Sequence, residues 1–362
     1  MPPSAQAPVI SRARAQRSPS VAPVYRAKVP LRVSFAGGGT DVPPFPERET
    51  GLVLSATINR YAHGTLRPRT DGRIRLESHD LGIALEYSAE EEVAFDGRLD
   101  LIKAAIKRVA QLETARGIDL FLNTAAPPGS GLGASSALVV NLIGLLSDYH
   151  KLSLTDYEIA HFAWEVERED LGLRGGLQDQ YAATFGGFNF IEFHADRVIV
   201  NPLRIRPTTV LELESNLLLC FTGATRAGDQ IIEDQTARYE AAEDEALQGL
   251  RAQKELAVAM KEALLTGRLS EFGELLGVAW EEKKKMSPRI STPAIDEAYA
   301  AAREAGALGG KVTGAGGGGF MLFYCPPGTR HTVAARLAEL GHDEAEFSFD
   351  ERGLRSWSYA EA

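Results

Sequence analysis

Cysteine is nearly absent from this chain, with only Cys220 and Cys325 among 362 residues. Two thiols cannot build a disulfide framework. Each lies in an apolar run, so both are expected as buried thiols in a reducing cytoplasm. Long hydrophobic runs are also missing. No stretch approaches about 18 uninterrupted apolar residues, so no membrane span is expected. A basic surplus is lacking too. The formal net charge is −10, which argues against nucleic acid as the main partner, because phosphate backbones favour basic surfaces. Acidic residues are absent in turn from the first forty positions, the first being Asp41. Residues 1–24 instead carry Arg12, Arg14 and Arg17 among Ala, Pro and Ser. A transit peptide has that composition. Pro2, Pro3, Pro8, Pro19 and Pro23 would interrupt any amphipathic helix, however, so a disordered tail is the preferred expectation.

What remains is ordinary for a soluble globular protein and long enough for two modest domains. Helix and strand signals alternate from residue 26 to 356. Strands are expected over 29–36, 51–66, 74–77 and 118–122, and a hairpin over 186–191 and 198–202. Apolar residues at 101, 102, 105, 106, 109 and 112 share one helical face over 99–116. Thr155 with Glu158 three residues on forms a capping box opening a helix over 155–170. Residues 203–215, with Pro207 and few apolar positions, mark a boundary between segments 25–205 and 206–362. The second segment is expected to open on a buried strand, 217–221. Two long helices (228–266 and 269–286), a strand (320–324), a helix (330–340) and a final strand (345–349) then follow. The charge runs 240–245 and 281–285 fit solvated helix faces.

One segment carries more information than the rest. Residues 127–138 read Pro-Pro-Gly-Ser-Gly-Leu-Gly-Ala-Ser-Ser-Ala-Leu. Glycines at 129, 131 and 133 let backbone N–H groups turn inward, and the following helix N-terminus adds donors and a positive dipole end. A hydroxyl there can reach a magnesium ion on the same phosphates. The segment is an anion cradle suited to a nucleotide triphosphate. It lacks the Gly-Lys-Ser/Thr ending of a P-loop, and its third glycine falls one residue early for a dinucleotide fingerprint. A plain strand-to-helix turn and a nucleotide-binding dehydrogenase are the competing readings.

Residues 127–137 resemble the ATP-binding loop of the GHMP kinases, the superfamily of galactokinase, homoserine kinase and mevalonate kinase. Two further segments resemble the other signatures of that superfamily, in the right order. Residues 30–41, Pro-Leu-Arg-Val-Ser-Phe-Ala-Gly-Gly-Gly-Thr-Asp, match its N-terminal substrate motif. Residues 311–320, Lys-Val-Thr-Gly-Ala-Gly-Gly-Gly-Gly-Phe, match its C-terminal glycine-rich motif. The resemblance covers roughly residues 26–357. The Ala-Gly-Gly-Gly-Thr-Asp version and residues 164–190 are most similar to the branch acting on D-glycero-D-manno-heptose 7-phosphate.

That resemblance implies an α+β GHMP kinase fold. An N-terminal ribosomal-S5-like half and a C-terminal ferredoxin-like half would meet at a cleft. It also implies ATP and Mg2+ as cofactors, a small sugar phosphate as substrate and a cytoplasmic location, with a homodimer as a possible assembly. ATP would sit on Pro128, Gly129, Ser130, Gly131, Leu132, Gly133, Ala134, Ser135 and Ser136. Ser135 aligns with the family's magnesium serine, with Ser136 a near alternative. Glu167 lies twelve residues before Asp179, as the magnesium glutamate lies before the base in galactokinase-like relatives. Asp179 is the expected base and Arg32 its partner. Gly38, Gly39, Thr40, Asp41, Gly175, Gly176 and Gly316 are assigned to the substrate. Gly38 and Gly39 stand where galactokinase-like motifs have Glu and His, a loss of side chains that suits a larger or anionic acceptor. Arg226 and Lys283 or Lys284 are the candidate cations for its phosphate. The implied reaction phosphorylates the anomeric 1-hydroxyl to a 1,7-bisphosphate, for nucleotide-activated heptose and surface polysaccharide synthesis. An L-fucokinase-like sugar kinase is the alternative within the superfamily.

Overall fold

The computed structural model describes residues 22–91, 93–110, 117–225 and 228–360. Most of the expected tail and the candidate cation Arg226 lie outside the described residues. Strand β1 (Val24–Ala36) runs into the first glycine turn. Helix α1 (Phe45–Glu49) precedes the long strand β2 (Gly51–Pro68) and the hairpin of β3 (Arg73–Ser78) and β4 (Ile83–Ser88). Then come α2 (Asp100–Ala110), β5 (Ile118–Thr124) and α3 (Ala134–His150), the last two joined by the second glycine turn. Helix α4 (Asp156–Glu165) passes into a π-helical turn, Val166–Asp170, and α5 (Gln178–Phe185) follows. The hairpin of β6 (Phe188–Phe193) and β7 (Val198–Pro202) comes next.

The second segment opens with α6 (Pro207–Asn216) and β8 (Leu217–Phe221). Helices α7 (Asp229–Glu240), α8 (Asp244–Thr266), α9 (Leu269–Met286) and α10 (Pro293–Glu304) follow. Strands β9 (Gly309–Val312) and β10 (Phe320–Tyr324) flank the third glycine turn, ahead of α11 (Arg330–Glu339) and β11 (Arg355–Tyr359).

An eight-stranded mixed sheet runs β11-β1-β2-β5-β3-β4, with β6 also on β2 and β7 on β6. A second, antiparallel sheet runs β8-β10-β9. Helix α3 packs on the large sheet and is apolar nearly all round, as a fully enclosed helix should be. Its one amide, Asn141, donates to the carbonyl of Ala62 at 3.1 Å. The largest apolar cluster joins both segments, as where the ring of Phe35 meets that of Phe272 edge-on at 5.2 Å. No helix among the described residues is long and apolar enough to cross a membrane.

Several elements differ from expectation. The presumed boundary 203–215 contains α6, with Pro207 in its first turn, where a missing N–H costs nothing. The long helix expected over 228–266 breaks into α7 and α8 around Ala242, which takes a φ of +55°. Residues 345–349 form no strand, and only Phe349 makes an isolated bridge, to Ile58. The last strand is instead β11, which pairs antiparallel with β1 and so returns the second segment to the first sheet.

Candidate active site

Three turns converge on one cavity of about 230 Å³. The second glycine turn forms its rim. Gly129, Gly131 and Gly133 all have positive φ, 75°, 79° and 72°, a conformation that costs glycine little. The third turn supports it by backbone contact. A Cβ on Gly314 would lie 2.5 Å from the Cα of Gly131, and one on Gly319 would lie 2.3 Å from the carbonyl oxygen of Ser130. The amide of Phe320 also donates to that oxygen at 3.0 Å. Side chains at those positions would push the two turns apart.

Asp179, in the first turn of α5, faces the second turn. A Cβ on Gly133 would lie 3.4 Å from its Cγ. The side chain of Arg32, on β1, is almost wholly buried. Its Nε and Nη2 donate to Asp179 Oδ1 at 2.7 and 2.6 Å, and its Nη1 donates to the carbonyl of Gly131. Oδ2 of Asp179 has no hydrogen bond among the described residues. One guanidinium thus fixes both the expected base and the turn expected to hold phosphate.

Asp41 braces the substrate side. Its carboxylate accepts from the backbone N–H of Gly39 and of Gln178 and from Gln178 Nε2, each at 3.0 Å. Burial raises its pKa against those hydrogen bonds. The brace needs the adjacent glycine, since a Cβ on Gly176 would overlap Asp41 Oδ2 at 1.9 Å. Gly175 is equally constrained by the guanidinium of Arg168.

Glu167 sits in the π-helical turn, 2 % exposed. Its Oε2 accepts from Ser136 Oγ at 2.7 Å and from the Gln180 side-chain amide. Burial raises its pKa, opposed chiefly by the nearby Arg168. The serine paired with Glu167 is therefore Ser136, while Ser135 lines the same cavity without that bond. No group of three or more His, Cys, Asp or Glu among the described residues could hold a metal. Magnesium is commonly held by one or two carboxylates plus substrate phosphates. Glu167 with a serine hydroxyl fits that pattern. The Ser130 hydroxyl, buried in the glycine turn without a partner, fits a phosphate oxygen.

Other candidates are redistributed. Lys283 lines the cavity and donates to the carbonyl of Gly314, whereas Lys284 pairs with Glu281 on the helix surface. Burial first, then Arg32, lowers the Lys283 pKa to about 8, with Asp41 and Asp179 opposing. Thr40 does not line the cavity. Its hydroxyl donates to the carbonyl of Gly37 and accepts from the N–H of Leu52, holding the first turn to β2. Gly316 turns toward Ile290, and Pro128 and Leu132 also lie outside the lining. Gly39 opens no space, because a Cβ there would strike Met286 Cε at 2.4 Å. Gly38 does leave room, with no atom nearer than 3.4 Å to its notional Cβ.

Sequence reasoning missed Gln235 on α7, which lines the cavity and donates to the carbonyl of Gly39. It also gave no role to Lys311, whose buried ammonium donates to the carbonyl of Phe35 at 3.0 Å. Burial and the neighbouring Lys283 and Arg32 hold the Lys311 pKa well below its usual value. Its place inside the third glycine motif was the available signal.

Known proteins resemble this chain in sequence and fold. Residues 100–187 match the GHMP kinases N terminal domain, and residues 260–343 match the GHMP kinases C terminal domain. The chain is 42 % identical over 335 residues to a D-glycero-alpha-D-manno-heptose 7-phosphate kinase of Campylobacter jejuni, covering 92 % of this chain and 98 % of the relative. A solved structure titled as a D-glycero-D-manno-heptose 1-phosphate kinase from Bacteriodes thetaiotaomicron superposes with a TM-score of 0.79 at 38 % identity, covering 92 % of this chain and 98 % of that one. Lactococcus lactis galactokinase complexed with galactose shares the fold at a TM-score of 0.73 and 20 % identity, covering 92 % and 95 % of the two chains. The dehydrogenase alternative falls with this fold, since β5, which feeds the glycine turn, runs antiparallel to β2. Three glycine turns closing on a buried arginine and the aspartate it holds, and relatives matching nearly end to end, show that this chain belongs to the GHMP kinase family.

Proposed function

We propose that this cleft transfers the γ-phosphoryl group of ATP to the anomeric 1-hydroxyl of D-glycero-D-manno-heptose 7-phosphate, giving the 1,7-bisphosphate and ADP. The observation that carries the reading is the seat of Asp179 against Gly133, with Oδ1 pinned by Arg32 and Oδ2 unengaged. An acceptor hydroxyl placed beside Oδ2 in the cavity meets a base on one side and, on the other, the turn that would hold the triphosphate. Its oxygen attacks the γ-phosphorus as its proton passes to Oδ2, and the bond to the bridging oxygen breaks, leaving ADP. The remaining N–H groups of Arg32 balance charge on the migrating group. Bound magnesium would neutralise phosphate charge, held by Glu167 and the Ser135–Ser136 pair.

The acceptor is argued from the relatives' names and from Lys283, an ammonium beside the open space over Gly38 that suits an anionic sugar. The two relatives' names differ in where the sugar phosphate sits, which makes product position the decisive measurement. An ADP-release panel with heptose 7-phosphate, fucose, galactose and mevalonate, followed by 31P NMR, tests the proposal. Selective turnover of heptose 7-phosphate with a new anomeric phosphate is expected. Absence of that turnover overturns the substrate assignment. The 28 % identity to a bifunctional fucokinase of Arabidopsis thaliana, of which this chain spans 31 %, keeps an L-fucokinase-like reading second.

A further inference from the structure

Three residues lining this cavity keep a buried polar atom without a hydrogen-bond partner among the described residues once the phosphoryl-transfer machinery is assigned: Ser34 Oγ, Gln178 Oε1 and Arg168 Nε, of which the first two residues meet beside Gly38. Folding does not ordinarily leave such atoms unpaired, because their lost hydration is not returned. Ser34 follows Arg32 by two positions on β1, so both side chains leave the same face of the strand. Ser34 is 4 % exposed and contributes nothing visible to the fold by its hydroxyl.

Gln178 directly precedes Asp179. Its amide cannot be reversed without loss, because Nε2 donates to the Asp41 carboxylate, which also receives the Gln178 backbone N–H. Oε1 is therefore an acceptor awaiting a donor. The side chains of both residues border the gap that Gly38 leaves open. A Cβ on Gly38 would lie 3.5 Å from Ser34 Oγ, 3.4 Å from Gln178 Nε2 and 3.9 Å from Lys283 Nζ. A hydroxyl, an amide and an ammonium thus meet beside Gly38 on the wall of the cavity that Asp179 also lines.

We propose that Ser34 and Gln178 are specificity-determining residues that read hydroxyl groups of the acceptor next to the one phosphorylated. The acceptor class is then a polyol with adjacent hydroxyls, and an alcohol without them leaves both buried atoms unpaired. A site built to bond a substrate hydroxyl rejects the analogue that lacks it far more strongly than an apolar pocket can. This inference rests on the phosphoryl-transfer reading, so the wild-type acceptor panel comes first. Failure with heptose 7-phosphate overturns that substrate, and the variants are then measured with whichever sugar is turned over. Turnover of mevalonate alone overturns the present inference as well.

The test uses Ser34→Ala and Gln178→Met in the full chain, with ATP and acceptor KM measured separately and a set of monodeoxy acceptors. Ser34→Ala is expected to raise acceptor KM roughly 10-fold with ATP KM unchanged. One monodeoxy acceptor should lose affinity with the wild type and lose nothing more with the variant. Ser34→Ala should also leave the Tm of the empty protein unchanged or higher, since it removes an unpaired buried hydroxyl. A purely structural role predicts the reverse, with lower Tm and both KM values rising together. That outcome, or strict additivity across every monodeoxy acceptor, overturns the proposal.

Discussion

Arg32 has its side-chain donors divided between the Asp179 carboxylate and the Gly131 carbonyl, so neither end of the reaction can shift without the other. Replacing Asp179 by Asn keeps the shape and removes the proposed base. We expect kcat to fall at least roughly 10²-fold with nucleotide binding intact, measured by turnover and by ATP titration. Near-normal turnover would remove Asp179 from the role. Lys283 gives a pH signature. Its pKa near 8 means that the cavity loses its ammonium as pH rises through that value, so acceptor KM should rise above pH 8 if the acceptor is anionic. The stability effect has the opposite sign. The unfolded lysine keeps its proton to about 10.4, so between pH 8 and that value the unfolded state binds more protons and stability from this group rises with pH. Lys283→Met should therefore raise Tm at pH 7 while weakening acceptor binding. The glycines, Arg32, Asp179 and Glu167 were singled out in the sequence because each falls in a motif that resembles the family's. For magnesium, Ser136 was named there only as the alternative to Ser135, and Gln235 and Lys311 were given no role, because those placements depend on which neighbour the fold brings across the cavity.

Two elements set the position of Glu167, the carboxylate proposed to hold magnesium. Thr155 caps α4, accepting from the Glu158 N–H while Glu158 returns the bond, and the π-helical turn then rotates Glu167 inward. Thr155→Ala should cost about 1 kcal/mol, read from the denaturation midpoint. The third glycine turn acts on the second by close backbone packing and by the Phe320 N–H bond to the Ser130 carbonyl. Gly314→Ala adds a methyl 2.5 Å from the Gly131 Cα, and overpacking of this kind costs about 1–3 kcal/mol. We expect a higher ATP KM with little change in acceptor KM; equal changes in both would deny the turn its separate role. The capping box was readable because its two partners lie three residues apart. The break near Ala242 was not, since neither Gly nor Pro marks it. Strand 345–349 was mistaken for similar reasons. Phe347 and Phe349 alternate as a strand should, but they pack on the main core while the place beside β1 goes to β11.

At the scale of the molecule, the division at 205/206 is crossed by a shared core, by β11 and by hydrogen bonds such as that from Lys311 to the Phe35 carbonyl. Removing residues 354–362 would strip β1 of that partner and withdraw Leu354 from its seat over Gly144 on α3. An exposed edge strand invites association, so we expect a lower Tm and larger particles by light scattering. The pairing of Val24 with Tyr359 has another consequence. Positions 24 and 359 are neighbours, so a short linker could join them and the chain could be reopened elsewhere. The turn at Gly72, where a Cβ would meet nothing within 4 Å, is a suitable place for new termini. Such a rearranged gene should still yield a working kinase, whereas a cut at Gly314 should not, because there the polypeptide presses directly on the turn around Gly131.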